Sequence, residues 1–167
     1  MPHFARTRPA PKTGGGYMSF RPYVREDFCR RCAYCLLAEL LAAGDEAFEL
    51  DHFRPRSRFP ELTDDFYNIY YACHKCNQFK SNRYPPPELE ARNIGFVDLC
   101  KEEFDAHFRV GPDGKWSGIT ESGSYTIDML RLNRKHLVDL RTILKQRGFD
   151  VYQKGFVEDE IRRLLSR

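Results

Sequence analysis

The sequence predicts an α+β fold, in which two strands and a short helix form a core that a mainly helical extension follows. Three observations support this prediction. A strand-like segment that ends at His52 and a second one over residues 68–72 precede a helix-like segment over residues 74–83. Two cysteine pairs bracket these elements, and leucines recur at helical spacing in the C-terminal part. The 167 residues are enough for one compact domain, or for a small catalytic module with an extension.

The cysteine pairs Cys32/Cys35 and Cys73/Cys76 each have the C-x-x-C spacing. Four thiolates at this spacing suit tetrahedral Zn²⁺, so we predict a structural zinc site that closes the core at both ends. A redox-active pair and unrelated thiols are the competing interpretations, and the presence of two pairs favours zinc. Cys29 forms a further C-x-x-C with Cys32 and stays an alternative ligand to Cys35.

The segment between and just after the pairs carries the reactive side chains. Asp51 and His52 are adjacent at the end of the first strand, where one can bind a cation while the other faces a neighbouring site. Asn77 and Lys80 lie on the predicted helix. Carboxylate and amide oxygens suit a hard cation such as Mg²⁺ or Mn²⁺. A neutral imidazole, with an ordinary pKa of about 6.5, can take a proton from water at physiological pH.

Residues 29–83 resemble the zinc-containing HNH endonucleases, which have a ββα-metal fold. The resemblance rests on the cysteine pairs together with Asp51-His52-x-x-Pro-x-Ser, Asn68 and Asn77-x-x-Lys80. The predicted fold is thus a ββα-metal HNH core stapled by a zinc site with four cysteine ligands.

The resemblance also implies roles for individual residues. His52 would be the general base, and Asp51 and Asn77 would bind the catalytic cation. Asn68 matches the asparagine that braces the loop carrying the base, and Lys80 matches the basic residue near the phosphate. One departure is that no glycine pair follows the serine in this chain, which bears on the conformation of the loop more than on the chemistry.

The predicted function is hydrolysis of DNA phosphodiester bonds by His52 with one divalent cation. Arg54, Arg56 and Lys80 are the predicted nucleic-acid contacts, and because they face the phosphate backbone, binding should weaken steeply with salt. Two alternatives stay open: a non-catalytic zinc module that binds nucleic acid or protein, and a nuclease that acts on RNA. Asn77 could also simply cap the helix, and His52 taken alone could be a buried structural histidine.

The chain divides into a flexible basic arm over residues 1–20, a nuclease domain over residues 21–84 and an extension over residues 85–167. The extension begins at three consecutive prolines, which are stiff and cannot donate backbone hydrogen bonds. The formal net charge of +3 is unevenly distributed, because residues 32–51 hold five acidic and no basic side chains between two basic flanks. This segregation fits a cation site inside a surface that binds a polyanion.

In the extension, residues 106–110 and 115–120 flank a Gly-Pro-Asp-Gly turn and predict a β-hairpin. Two helices should follow. Leucines at i, i+3 and i+7 from Leu137 form the buried stripe of the second helix, with Asn133 as its N-cap. A last short helix is predicted over residues 157–166.

The loop Phe53-Arg54-Pro55-Arg56-Ser57, together with the motif Leu132-Asn133-Arg134 and the helical tail, is also similar to HNH proteins of bacterial anti-phage systems. This similarity implies a defence role beside a protein partner such as an ATPase or a reverse transcriptase. The longest apolar stretch is far below the ~18 residues of a membrane span, and no apolar core follows the basic residues near the N-terminus. We therefore expect a cytoplasmic protein without a signal peptide.

Overall fold

A ββα unit lies at the centre of the computed structural model, which describes residues 3–149. The chain enters it through helix α1 (Arg21–Asp27) and the loop with the first cysteine pair. Strands β1 (Phe48–His52) and β2 (Ile69–Cys73) then pair antiparallel, and the chain passes directly from β2 into helix α2 (His74–Lys80). Helix α2 packs against both strands. All five residues of β2 are buried, as its aromatic and β-branched composition favours.

The boundaries of these elements differ slightly from the predicted ones. Asn68 belongs to a 3-10 turn (Phe66–Asn68), so β2 begins one residue later than predicted. Helix α2 ends at Lys80 because Ser81 adopts a φ of 46°, in the left-handed region that stops an α-helix.

The extension contains the predicted hairpin and the two helices after it. Its elements are α3 (Pro87–Glu90), α4 (Phe104–His107), β3 (Phe108–Val110), β4 (Trp116–Gly118), α5 (Glu121–Met129) and α6 (Lys135–Gln146). The predicted α+β class is thereby confirmed. The helix predicted over residues 157–166 lies outside the described residues. Between residues 3 and 149, no helix is long and apolar enough to cross a membrane.

The predicted cap of α6 was wrong. Arg134 occupies the N-cap position, and its side chain makes no capping hydrogen bond. Asn133 instead accepts from the backbone N–H of Trp116 at 2.8 Å and donates to the Trp116 carbonyl at 2.7 Å. An asparagine amide can satisfy both polar groups of one peptide segment in this way, so Asn133 ties the start of α6 to the hairpin.

The N-terminal segment lies against the core, where the sequence predicted a free arm. Phe4 is buried, with its ring centroid 4.8 Å from that of Phe28. The Arg6 guanidinium pairs with Asp27 at 3.0 Å and lies over the Phe66 ring at 4.6 Å. An ion pair and aromatic faces together offset the cost of ordering this segment.

Candidate active site and zinc site

Four cysteines, Cys32, Cys35, Cys73 and Cys76, form one buried cluster whose Sγ atoms all lie within 4.8 Å of one another. The Sγ atoms of Cys35 and Cys73 are 3.7 Å apart. Zn–S bonds of about 2.3 Å in tetrahedral geometry separate the sulfurs by about 3.8 Å. The donor set therefore fits a structural zinc ion, which would join the loop after α1 to the junction of β2 and α2.

Cys29 is exposed and lies outside this cluster. The fold therefore brings together the ligand set with Cys35, and not the alternative set in which Cys29 replaces it. Within the cluster, burial disfavours a thiolate. Hydrogen bonds from the three other thiols nevertheless hold the pKa of Cys35 well below its ordinary value, whereas burial raises the pKa of Cys32. Hydrogen bonding within the cluster thus favours the thiolate at Cys35 and the neutral thiol at Cys32.

His52 ends β1 and has a defined orientation. Its Nε2 atom lies 2.8 Å from the carbonyl oxygen of Thr63. Because a carbonyl only accepts, Nε2 carries the hydrogen and Nδ1 is the basic nitrogen. The ring of Tyr17 lies edge-on to the imidazole, with 4.7 Å between centroids. Burial lowers the pKa of His52 below its ordinary 6.5, although the bond to Thr63 opposes the shift, so the neutral form predominates at pH 7.

Asn68 spans the two ends of the loop between β1 and β2. Its Oδ1 accepts from the backbone N–H of Arg54 at 2.8 Å. Its Nδ2 donates to the carbonyls of Arg54 at 3.0 Å and Leu62 at 3.2 Å. Thr63, which orients His52, directly follows Leu62, so Asn68 holds the stretch of backbone against which the imidazole is positioned.

Asp51 and Lys80 form a buried ion pair. The Lys80 Nζ lies 3.0 Å from Asp51 Oδ2 and donates to the His52 carbonyl at 2.7 Å. The Tyr34 hydroxyl also donates to Asp51. Burial raises the pKa of Asp51, and the charge of Lys80 opposes that rise. Since Lys80 is fully buried, the structure does not place it where it could contact a phosphate, contrary to the prediction; it neutralises Asp51 instead.

Glu49 and His74 are polar residues at the site to which the sequence assigned no catalytic role. Glu49 accepts a hydrogen bond from Asn77 Nδ2 at 2.5 Å, and its other oxygen is 2.9 Å from His74 Nδ1. Asn77 Oδ1 is thus the amide atom that a cation could use. The sequence did contain a signal for Glu49. Side chains alternate between the two faces along a strand, so Glu49, two residues before Asp51 in β1, is expected on the same face as Asp51.

These groups line one open cavity of about 390 Å³, which brings His52, Asp51 and Asn77 together with Glu49. Exposed Arg56 also lines it, with its guanidinium 5.5 Å from the Tyr17 ring centroid. The cavity therefore combines a neutral base, oxygen donors for a hard cation and a cationic side chain at its wall.

Arg54, the other arginine predicted to contact nucleic acid, is exposed beside this region and lies over the Phe59 ring at 5.4 Å. It is not among the residues that line the cavity. Of the three predicted nucleic-acid contacts, Arg56 alone lies at the cavity wall.

Comparison with known proteins agrees with this geometry. Residues 32–83 match the HNH endonuclease family. The predicted resemblance is therefore confirmed, and the matched HNH segment contains both cysteine pairs, β1, β2 and α2. The chain is also similar to the Septu protein PtuA of Bacillus mycoides (strain KBAB4), with 26% identity over 145 residues. That similarity covers 71% of this chain but 20% of the length of PtuA.

Proposed function

We propose that this protein is a metal-dependent endonuclease that hydrolyses DNA phosphodiester bonds with His52 as the general base. The observation that carries the proposal is the fixed tautomer of His52 at the wall of the cavity. Its Nε2–H is engaged by the Thr63 carbonyl, so that Nδ1 is the atom that would take a proton from the attacking water. The match of residues 32–83 to the HNH endonucleases supports the same reaction.

The oxygen donors at the cavity fit a hard divalent cation such as Mg²⁺ or Mn²⁺. Asp51 and Asn77 would hold it, and Glu49 lies within hydrogen-bond distance of Asn77 to orient the amide. When bound, the cation would stabilise charge that develops on the phosphoryl and leaving oxygens. The buried ion pair with Lys80 would hold the Asp51 carboxylate in place without help from solvent.

The remaining residues would position the base and the substrate. Asn68 holds the loop that carries Thr63 and therefore keeps the imidazole in one orientation. Exposed Arg56 at the cavity wall and Arg54 beside it would bind phosphate oxygens. Contacts of this kind carry no base specificity, so the chain would cut with little dependence on sequence.

We further propose that the nuclease acts in bacterial anti-phage defence together with a protein partner such as an ATPase. The similarity to a Septu protein supports this setting, as does the motif Leu132-Asn133-Arg134.

The test is a cleavage assay on DNA and RNA with zinc-loaded protein and added Mg²⁺ or Mn²⁺. Wild type should cut DNA, and His52→Ala should abolish cleavage while its zinc content stays unchanged. His107→Ala is the matched control, since His107 lies in the extension, outside the cavity, where its ring contacts Thr120 and Glu102. Unchanged cleavage by His52→Ala would overturn the proposed role, and cleavage of RNA alone would overturn the proposed substrate.

A further inference from the structure

Arg134 reaches the cysteine cluster from the C-terminal extension. Its Nη2 atom lies 3.5 Å from Cys76 Sγ and 3.8 Å from Cys73 Sγ, within hydrogen-bond distance for sulfur acceptors. The two partners are the cysteine pair that joins β2 to α2. Arg134 is separated from Cys73 by 61 positions in the chain, so this contact exists only in the folded protein.

Several contacts hold the guanidinium in this position. Its Nη1 atom donates to the carbonyls of Leu130 at 3.2 Å and Arg131 at 3.3 Å, which lie just after α5. The guanidinium lies over the Phe79 ring of α2, with 5.6 Å between Cζ and the ring centroid. Its Nε atom donates to His136 Nε2 at 3.3 Å, so the guanidinium is held between the end of α5 and the face of α2 and Nη2 is the nitrogen that faces the cysteine sulfurs.

The negative charge of the zinc-loaded site would make the contact with Arg134 stabilising. Four thiolates and one Zn²⁺ sum to a formal charge of about −2, buried among apolar side chains. A buried net charge is costly unless it is paired and hydrogen-bonded. Arg134 would bring the local sum to about −1, and its N–H would withdraw electron density from the two sulfurs it contacts.

We propose that Arg134 is a positioning residue of the zinc site, which hydrogen-bonds two of the zinc thiolates and slows loss of the metal. This role explains the third residue of the Leu132-Asn133-Arg134 motif, of which Leu132 is fully buried and Asn133 holds the hairpin. It also makes the extension part of the zinc site. The proposal is independent of the nuclease reaction.

The test compares the zinc-loaded 167-residue chain with its variants Arg134→Gln and Arg131→Gln. Arg131 is the matched control, because it is exposed, lies over the same Phe79 ring at 4.9 Å and, within residues 3–149, contacts no cysteine sulfur. Zinc transfer to a chromophoric chelator should be about 10–100-fold faster for Arg134→Gln, the usual range for loss of an outer partner of a metal ligand. Arg131→Gln should stay within about twofold of wild type.

A further measurement separates this role from a loss of packing. In the cobalt-substituted protein, the sulfur-to-metal charge-transfer bands should move to lower energy in Arg134→Gln, because the thiolates lose a hydrogen-bond donor. If Arg134→Gln does not fold, Arg134→Lys is compared instead; it keeps the charge but not the planar fork, and zinc transfer should still be several-fold faster than in wild type. Transfer at the wild-type rate, unshifted bands, or equal acceleration by Arg131→Gln would overturn the proposal.

Discussion

Replacing Lys80 by methionine should strongly destabilise the protein, because it leaves a buried carboxylate without its counter-ion. The Lys80 side chain is 0% exposed and that of Asp51 is 5% exposed, with 3.0 Å between Nζ and Oδ2. Lys80→Met also removes the hydrogen bond to the His52 carbonyl. Breaking a buried ion pair from one side costs about 3–5 kcal/mol. At roughly 3 °C per kcal/mol for a domain of this size, Tm should fall by about 9–15 °C.

The measurement is thermal and urea unfolding at constant zinc, with Lys135→Met as the control. The Lys135–Asp139 pair is also close, at 2.6 Å, but its side chains are 87% and 49% exposed, so water solvates both and the loss of Lys135 should cost less than about 1 kcal/mol. The double variant Asp51→Asn/Lys80→Met removes both charges and should lose less free energy than the sum of the single variants, with a coupling of about 1–3 kcal/mol.

Two outcomes would refute this reasoning. The first is a loss for Lys80→Met no larger than that for Lys135→Met, which would mean that the Asp51–Lys80 ion pair is solvated. The second is strict additivity of the two single variants, which would mean that Asp51 and Lys80 do not interact. Retained stability would also restore Lys80 as a residue that can turn outward to contact a phosphate.

The other predictions concern the base and its loop. Because burial lowers the pKa of His52, the decline of kcat/KM towards low pH, as the imidazole becomes protonated, should have its midpoint below the ordinary 6.5 of a histidine; a midpoint above 6.5 would contradict the burial of this ring. Asn68→Ala leaves three backbone groups of Arg54 and Leu62 without their partner and should cost about 3 kcal/mol in urea unfolding. Exposed Asn82→Ala should change stability by less than about 0.5 kcal/mol, and equal losses for both variants would rule out the bracing role.

The strands, the helix and the cysteine cluster followed from local patterns in the sequence. Spacing within each C-x-x-C pair determines which thiols can share one ion, and two such pairs leave few alternative arrangements. Likewise, the run Ile69–Cys73 has the residue types of a buried strand, and the turn between β3 and β4 is encoded in four consecutive residues. Such features depend on neighbours in the chain, which is why they could be predicted.

The contacts of Lys80, Asn133 and Glu49 were not predictable in the same way. Lys80 has the sequence context of a surface residue on a short helix, yet α2 packs so that this side chain faces β1. Asn133 has the sequence context of a helix cap, but its side-chain amide hydrogen-bonds the backbone N–H and carbonyl of Trp116 instead. In each case the buried polar side chain is paired with a group that is distant in the chain, and a local sequence pattern does not identify such a partner.

The sequence by itself determined which reactive groups this protein carries: four cysteines at a spacing that suits zinc, a histidine beside an aspartate, and asparagines at the spacings of the HNH motif. Only the tertiary structure decided which of these groups face one another. In the folded protein Lys80 is buried and pairs with Asp51, and Asn77 donates a hydrogen bond to Glu49. Arg134 contacts Cys73, which lies 61 positions earlier in the chain. The physical reason is that residue type sets what a side chain can bind, whereas packing sets which charges lose their water and must find a partner.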